Sequence, residues 1–186
     1  MSVAVALDLS VNVTGGILNG TRTLYDAPGT TGTVATVSPA KSCAYVAKWN
    51  SAGTGQWIQL ITTTSNSPNY GLAIAVDAFS NVFASGLMFG TTTFGGTKTF
   101  VVLGEDGYVA KYTPTGALAW AVQMDELAST NQTFCGGVWY DRRAGVLWTT
   151  GSFNSVTNFY DNNSTTSGLA LAARGTYDTF IVKYSA

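Results

Sequence analysis

Carboxylates are the side chains of this sequence that could do acid–base or metal chemistry, because the chain contains no histidine. The lack of histidine excludes the Ser/His/Asp and Cys/His catalytic arrangements and the usual zinc sites. Of the 10 Asp and Glu residues, several recur at matching places in an internal repeat. That repetition favours capping of turns or pairing of strands, since aspartyl side chains bond nearby backbone amides. The recurring residues are Asp8, Asp77, Asp106, Asp141 and Asp178.

The remaining carboxylates are Asp26, Glu105, Asp125, Glu126 and Asp161. Asp125 and Glu126 are neighbours on a predicted strand, so their side chains would point to opposite faces. Glycosidase chemistry instead needs facing acids about 5–10 Å apart. The run from Asp161 to Ser164 offers oxygen ligands without the spacing of a calcium loop, so a solvated turn is favoured over a bound calcium. We therefore expect no catalytic residue, no metal, no cofactor and no enzyme activity.

Aromatic side chains are the candidates for ligand binding. Phe153, Phe159 and Tyr160 lie in a long polar segment, 152–177, and could stack on a sugar ring. A second long segment, 87–105, would complete a carbohydrate-binding surface. Five tryptophans could stack in the same way, but all fall on predicted strands, which favours packing in the core or between repeats. These are Trp49, Trp57, Trp120, Trp139 and Trp148.

The repeat that positions these residues is a strand, a turn and a second strand. A motif of Tyr, Val, Ala and Lys is followed by Gly and then Trp at the same spacing in two copies, Lys48–Gly53–Trp57 and Lys111–Gly116–Trp120. A third copy, residues 178–184, is followed only by Ser185 and Ala186. Aromatic and β-branched residues favour strands, and the intervening glycine favours a turn.

A second repeated segment precedes each copy and also reads as strand, tight turn, strand. Its first strand ends at Asp8, Asp77 or Asp141, and Asn or Gly follows four residues later, where left-handed backbone is accessible. Repeats of this length with four strands apiece predict propeller blades. The sequence thus predicts one repeat domain, 1–186, with blades at about 1–63, 64–128 and 129–186.

The expected fold class is all-β: tandem four-stranded antiparallel blades forming an incomplete, about three-bladed, β-propeller-like array. The second copy resembles the bacterial-type propeller repeat known as the SBBP family, on the residues Ala75–Asp77, Asn81–Gly86, Asp106–Tyr112, Gly116 and Trp120. The resemblance is partial in the other two copies. It implies scaffolding and interaction, in surface, secreted and some viral proteins, with no shared catalytic site.

Two departures from that family define the expected partners. Three blades are too few to close a ring, and the third copy lacks its outer strand. We expect other protein chains to complete the open blade edge, because an uncovered strand exposes unpaired backbone groups. Long segments also separate the second and third strands of each blade, at 17–42, 87–105 and 152–177, and apolar residues within 87–105 predict an inserted hairpin.

Composition narrows the setting. Charged residues make up only 10% of the chain, against about 25% in average proteins. The net charge of −1 and the lack of basic clusters exclude the electrostatic pattern of a nucleic-acid binder. No apolar run reaches the ~18 residues of a membrane span, and no signal peptide is recognised. A virion or extracellular surface is the favoured location.

Two further residue sets leave alternatives open. Cys43 and Cys135 could form a disulfide, but their unrelated places in the repeat favour two buried thiols. The repeated lysines, Lys48, Lys111 and Lys183, are interpreted as structural partners, with an anion-binding ring as the alternative. The leading function is a non-enzymatic structural or interaction module within a larger assembly, and the alternative is a lectin-like module.

Overall fold

The computed structural model describes residues 1–26, 33–126, 130–161 and 167–186. The protein is all-β, with 67% strand and no helix among these residues. The strands are β1 (Ser2–Val5), β2 (Val11–Ile17), β3 (Arg22–Tyr25), β4 (Thr33–Val37), β5 (Cys43–Trp49), β6 (Gly55–Thr63), β7 (Tyr70–Val76), β8 (Val82–Phe94), β9 (Lys98–Tyr112), β10 (Leu118–Glu126), β11 (Thr133–Asp141), β12 (Val146–Phe153), β13 (Val156–Tyr160), β14 (Ser167–Ala172) and β15 (Asp178–Ser185).

Strand pairing repeats along the chain, and every ladder is antiparallel. In the first unit the order is β1-β2-β5-β6, and in the second it is β7-β8-β9-β10. The third unit contains β11-β12-β15, and no described strand occupies the fourth place. The predicted antiparallel all-β class is confirmed, whereas no closed barrel or propeller is detected in the described part of the chain.

Hairpins link one unit to the unit before it. Strands β8 and β9 extend past their unit into a hairpin in which Thr93 pairs with Thr99, which confirms the hairpin predicted within 87–105. The same extension pairs with β6 of the first unit. Likewise, β13 and β14 form a hairpin that pairs with β10 of the second unit. The segment 152–177 therefore holds strands where the sequence suggested a polar loop.

The two interfaces between units are apolar. Between the first and second units a cluster is built around Ile61, Phe94, Tyr108 and Tyr112, all without exposed surface. Between the second and third units, Phe83, Met124 and Leu147 are equally buried. We call the side of each unit that points toward the next unit its front face, and the opposite side its back face. Burial of these side chains is the main stabilising term, at about 1.5–3 kcal/mol each.

Turn geometry agrees with the sequence in one place and differs in another. Gly53 and Gly116 have φ of 80° and 88°, which explains glycine after the lysine strand. After Asp8 and Asp77, however, positive φ falls on Leu9 and Ser80, at 62° and 63°, and not on Asn four residues later. Here the aspartate carboxylate accepts the turn's backbone amides, so the turn is held by side-chain bonds. Only the third copy follows the prediction, at a glycine, Gly145.

Candidate functional site

The repeated aspartates cap turns, as the sequence predicts. Asp77 accepts hydrogen bonds from the amides of Phe79 and Asn81 at 2.9 and 2.8 Å, and Asp141 accepts from Arg143 at 2.9 Å. Asp8 accepts from the Ser10 amide at 2.9 Å. Contacts with the Ser10 side chain and amide are the largest causes that lower the Asp8 pKa to about 2. These contacts stabilise turns and leave the carboxylates engaged with backbone.

Asp106 is also engaged, and its contact ties an outer strand to its unit. Gln123 of β10 donates to the Asp106 carboxylate at 2.6 Å and to the Val101 carbonyl at 3.3 Å. Asp106 and the Gln123 side chain are both buried. Asp178 accepts from the Arg174 amide at 2.7 Å. Both residues therefore act in strand and loop pairing.

Three of the other candidate acids accept hydrogen bonds from different parts of the fold. Asp26 accepts from the Gly55 amide at 2.6 Å, and Asp125 accepts from the Tyr160 hydroxyl at 3.2 Å. Burial raises the pKa of Glu105, whose carboxylate accepts from Gln132 at 3.4 Å. Asp161 lines a cleft described below, while the Glu126 side chain lies outside the described residues. Across the described ranges, no group of three or more His, Cys, Asp or Glu residues could hold a metal ion.

The lysines at the repeated position have three different surroundings. Lys48 is buried and pairs with Asp8 at 3.8 Å, which fits the structural interpretation. The Lys111 ammonium lies 5.4 Å from the centre of the Phe83 ring. Lys183 lines the cleft beside β15. The structural contacts of Lys48 and Lys111 thus differ, and Lys183 is the one that borders a cavity.

The aromatic candidates for sugar binding divide into buried and accessible. Phe153 and Phe159 are each 3% exposed. Their rings pack edge to face at 6.4 Å, and Phe159 lies 5.0 Å from Phe180. These two rings belong to the core between the second and third units, and Phe159 also lines the cleft beside β15. Tyr160 is partly exposed and lines the cleft beside β15, with its hydroxyl donated to Asp125.

Tryptophan packing follows the prediction at Trp57 and Trp120 and departs from it in the third unit. Trp57 donates to the Pro114 carbonyl at 3.0 Å, and Trp120 lies 6.3 Å from the Tyr184 ring. By contrast, Trp139 and Trp148 are 60% and 37% exposed. The expectation of core or inter-unit packing is therefore wrong for Trp139 and Trp148, because no described unit covers the front face of the third unit.

That front face forms a continuous apolar surface. Trp139 of β11 pairs with Trp148 of β12, which pairs with Lys183 of β15, so the three side chains share one face. Ile181, two residues before Lys183 and on the same face, is 75% exposed. We call Trp139, Trp148, Ile181 and Lys183 the third front face. A contiguous exposed apolar surface of this kind marks interaction sites.

A cleft adjoins this face at the edge of the third unit. It has a volume of about 490 Å³ and lies between β15 and the β13–β14 hairpin. Its walls carry Ile181 and Lys183 on one side and Tyr160, Asp161 and Leu169 on the other. The cleft therefore lies where the outer strand stands in the other two units. The sequence does not predict this cleft, because its far wall is the β13–β14 hairpin, and the segment 152–177 reads as a polar loop.

The two cysteines are unpaired, buried thiols, as favoured by their sequence positions. Burial raises the pKa of Cys43 to about 11 and that of Cys135 to about 12. Both side chains are therefore protonated at neutral pH and are poor nucleophiles. They belong to the packing of the protein.

Two global observations complete the description. No helix long and apolar enough to cross a membrane occurs in the ranges that the structure describes. Comparison with protein-family models and with curated proteins gives no match to this chain.

Proposed function

We propose that this protein is a non-enzymatic structural or interaction module, built of propeller-like blades, that functions within a larger assembly. The strand order of the first and second units supports blades, since each runs in sequence from first to outer strand. The third unit keeps that order for three strands. Face-to-face apolar packing of successive units is also how blades pack. A virion or extracellular surface structure is the proposed setting, supported by the low charge of the chain.

The observation that carries this proposal is the difference between equivalent faces. Phe83, on the front face of the second unit, has no exposed surface because the third unit covers it. Trp148 occupies the same place in the third unit and is 37% exposed. Ile181 nearby is 75% exposed. Burying apolar surface of this size stabilises an association by about 25 cal/mol per Å² before the costs of association are subtracted.

The repeated carboxylates support a scaffolding role over chemistry. Asp77 and Asp106 are buried and hydrogen-bonded within the fold. A catalytic acid would need an open approach for substrate and a pKa suited to proton transfer. Asp77 instead fixes a turn, and Asp106 holds the outer strand β10.

Native mass spectrometry with light scattering tests the proposal. We expect species heavier than the 19.5 kDa chain, alone or with a partner from its source, at micromolar concentration. Ile181→Glu should reduce them, since a charge on the third front face opposes burial. Val101→Glu is the matched control, because Val101 is a strand residue of similar exposure elsewhere, at 68%. A single 19.5 kDa species at every concentration and with every partner would contradict the proposal.

Carbohydrate binding is the second candidate, and one feature favours it. Tyr160, Asp161 and Leu169 line a cleft of about 490 Å³, which combines an aromatic ring with hydrogen-bonding groups. Sugars are bound by such pairs of stacking and polar contacts. A glycan array followed by titration of Tyr160→Ala tests it. Binding that the substitution removes would support a lectin, and no binding at millimolar sugar would end this candidate.

A further inference from the structure

The outer strands of the first and second units share one arrangement. Trp57 of β6 lies directly opposite Lys48 of β5, and Trp120 of β10 lies directly opposite Lys111 of β9. In the second unit the row continues to Phe83, so that Lys111 stands between two aromatic residues. The two rings lie 6.2 Å apart, and the ammonium lies 5.4 Å from the Phe83 ring centre. Cations next to aromatic rings in this way are attracted to the ring face.

The third unit has the same arrangement, except that no described strand supplies the tryptophan opposite the lysine. Trp148 takes the place of Phe83, and Lys183 takes the place of Lys111. Within the described residues, no strand pairs with the side of β15 that faces away from β12. The position opposite Lys183, occupied by tryptophan in the other two units, is therefore filled by no described strand. The cleft of about 490 Å³ adjoins it.

The cleft matches the space that an outer strand fills in the second unit. There, β10 pairs with β9 on one side and with β13 of the third unit on the other, and the Gln123 side chain donates to the Val101 carbonyl in the hairpin of its own unit. In the third unit the corresponding walls are β15 and the β13–β14 hairpin, and the cleft lies between them. An extended segment placed there would gain backbone hydrogen bonds from β15 and side-chain contacts from both walls. Addition of a strand to an exposed edge is a common mode of peptide recognition.

We propose that β15 binds an extended segment of a partner chain, antiparallel to it, that places a tryptophan opposite Lys183 and beside Trp148. Residues one and three places after that tryptophan would face the cleft, and the second unit has Ala121 and Gln123 at the equivalent positions. We therefore expect a small residue at the first of these positions and an amide side chain at the second. This inference rests on the proposed function, and it specifies the chemistry of the partner that the proposed function requires.

A peptide from the protein itself is the direct probe. Residues 116–126 contain β10 with Trp120, and a dye-labelled copy can be titrated against the intact protein by fluorescence anisotropy. We expect saturable binding, at least tenfold weaker for the peptide with Trp120→Ser, and absent for the reversed sequence. In the protein, Trp148→Ala should weaken binding several-fold, whereas Trp139→Ala should not, because Trp139 lies one strand farther from the edge. Equal binding of the reversed peptide, or none of the native one, would overturn the inference.

A copy of the peptide attached covalently to the protein gives a second test, which remains valid if the free peptide associates with itself. Extending the chain after Ala186 with a copy of residues 115–126 would place the copied tryptophan nine residues after Lys183, the spacing of Lys111 and Trp120. The extension should raise the melting temperature by several degrees and abolish binding of added peptide. The same extension with serine for tryptophan is the control. Equal melting temperatures for the two extended chains would refute the inference.

The outcomes separate this inference from the proposed function. Assembly without peptide binding would mean that the module associates through another surface. Peptide binding by a protein that never assembles would support the strand site and contradict the larger assembly. Failure of both would remove both proposals.

Discussion

The second and third units contain the same strand positions in different surroundings. The second unit is covered on both faces, and its front row, Phe83, Lys111 and Trp120, packs on Tyr140 and Tyr184 of the third unit. Among the described residues the third unit is covered only at its back, and its front row ends in exposed Trp148 and Lys183, beside an edge of β15 with which no described strand pairs. Identical backbone pairing thus gives a core in one case and a surface in the other. Burial here is a property of neighbours and not of the repeat itself.

Whether a tryptophan of a repeat protein is exposed depends on the units packed around it. Trp148 lies on a strand and alternates in the same way as Phe83, so its sequence pattern predicts burial. It is nevertheless 37% exposed, because no unit among the described residues covers it. Substitutions at equivalent positions of the two units should therefore change the free energy of unfolding by different amounts. The difference measures how much the neighbouring unit stabilises each position.

The largest effect is expected at a glycine that lies between strands. A Cβ at Gly86 would stand 1.9 Å from the Tyr70 carbonyl oxygen and 2.9 Å from the Tyr108 ring. Gly86→Ala should therefore lower the free energy of unfolding by about 3 kcal/mol or more, because β7 and β8 must separate. At the matching Gly15 the nearest atom is the Tyr45 ring at 3.3 Å, so Gly15→Ala should cost under about 1 kcal/mol. Urea denaturation of both variants checks this, and similar losses would contradict it.

The next largest effect separates the two front faces directly. Phe83→Ala should cost about 3–5 kcal/mol, since its ring is fully buried and stacks on Tyr140 at 5.8 Å. Trp148→Ala should cost only about 1 kcal/mol, because part of the ring already contacts water. Both are measured by urea denaturation at protein concentrations low enough to keep the chain monomeric. A cost for Trp148→Ala equal to that of Phe83→Ala would mean that its face is covered within the chain.

A smaller difference is expected between two turn-capping aspartates. Asp77 is 3% exposed and accepts from two backbone amides and from the Asn81 side chain at 2.6 Å. Asp77→Ala should cost about 2 kcal/mol, because two backbone amides and the Asn81 side chain lose a buried acceptor. Asp141 is half-buried, so water can replace it, and Asp141→Ala should cost about 0.5–1 kcal/mol. Thermal unfolding of both variants gives the comparison, and a larger loss at Asp141 would reverse our ranking.

The sequence predicted the strands well because their signals are local. Alternating apolar residues and the lysine–glycine–tryptophan spacing identify β5, β6, β9 and β10, and register follows from the turn glycines. The hairpin of β8 and β9 was also predicted, from its own apolar residues. Local chemistry thus accounts for the elements and for the capping aspartates.

Contacts between distant segments account for what the sequence missed. The polar segment that contains Phe153 and Phe159 predicts accessible rings, yet they are buried by Phe180 and by pairing of β13 with β10. The position of Trp148 on a strand predicts packing, yet it is 37% exposed. In each case exposure depends on which other element packs on the residue, and a single sequence does not encode that locally.

The smallest effect concerns the hydrogen bond between the Asp8 carboxylate and Ser80, which joins the first and second units. Contacts with Ser10 are the main cause that lowers the Asp8 pKa from 3.8 to about 2, and the Ser80 hydroxyl, which donates at 3.1 Å, adds to them. A folded-state pKa below the unfolded value adds stability above pH 4 that is lost as pH falls toward 2. Because the Asp8 side chain is 50% exposed, solvent screening limits the gain to under about 1 kcal/mol. Wild type should therefore exceed Asp8→Asn in unfolding free energy at pH 6, and the gap should narrow below pH 4 and close only at about pH 2 and below, whereas a gap that widens in acid would contradict this linkage.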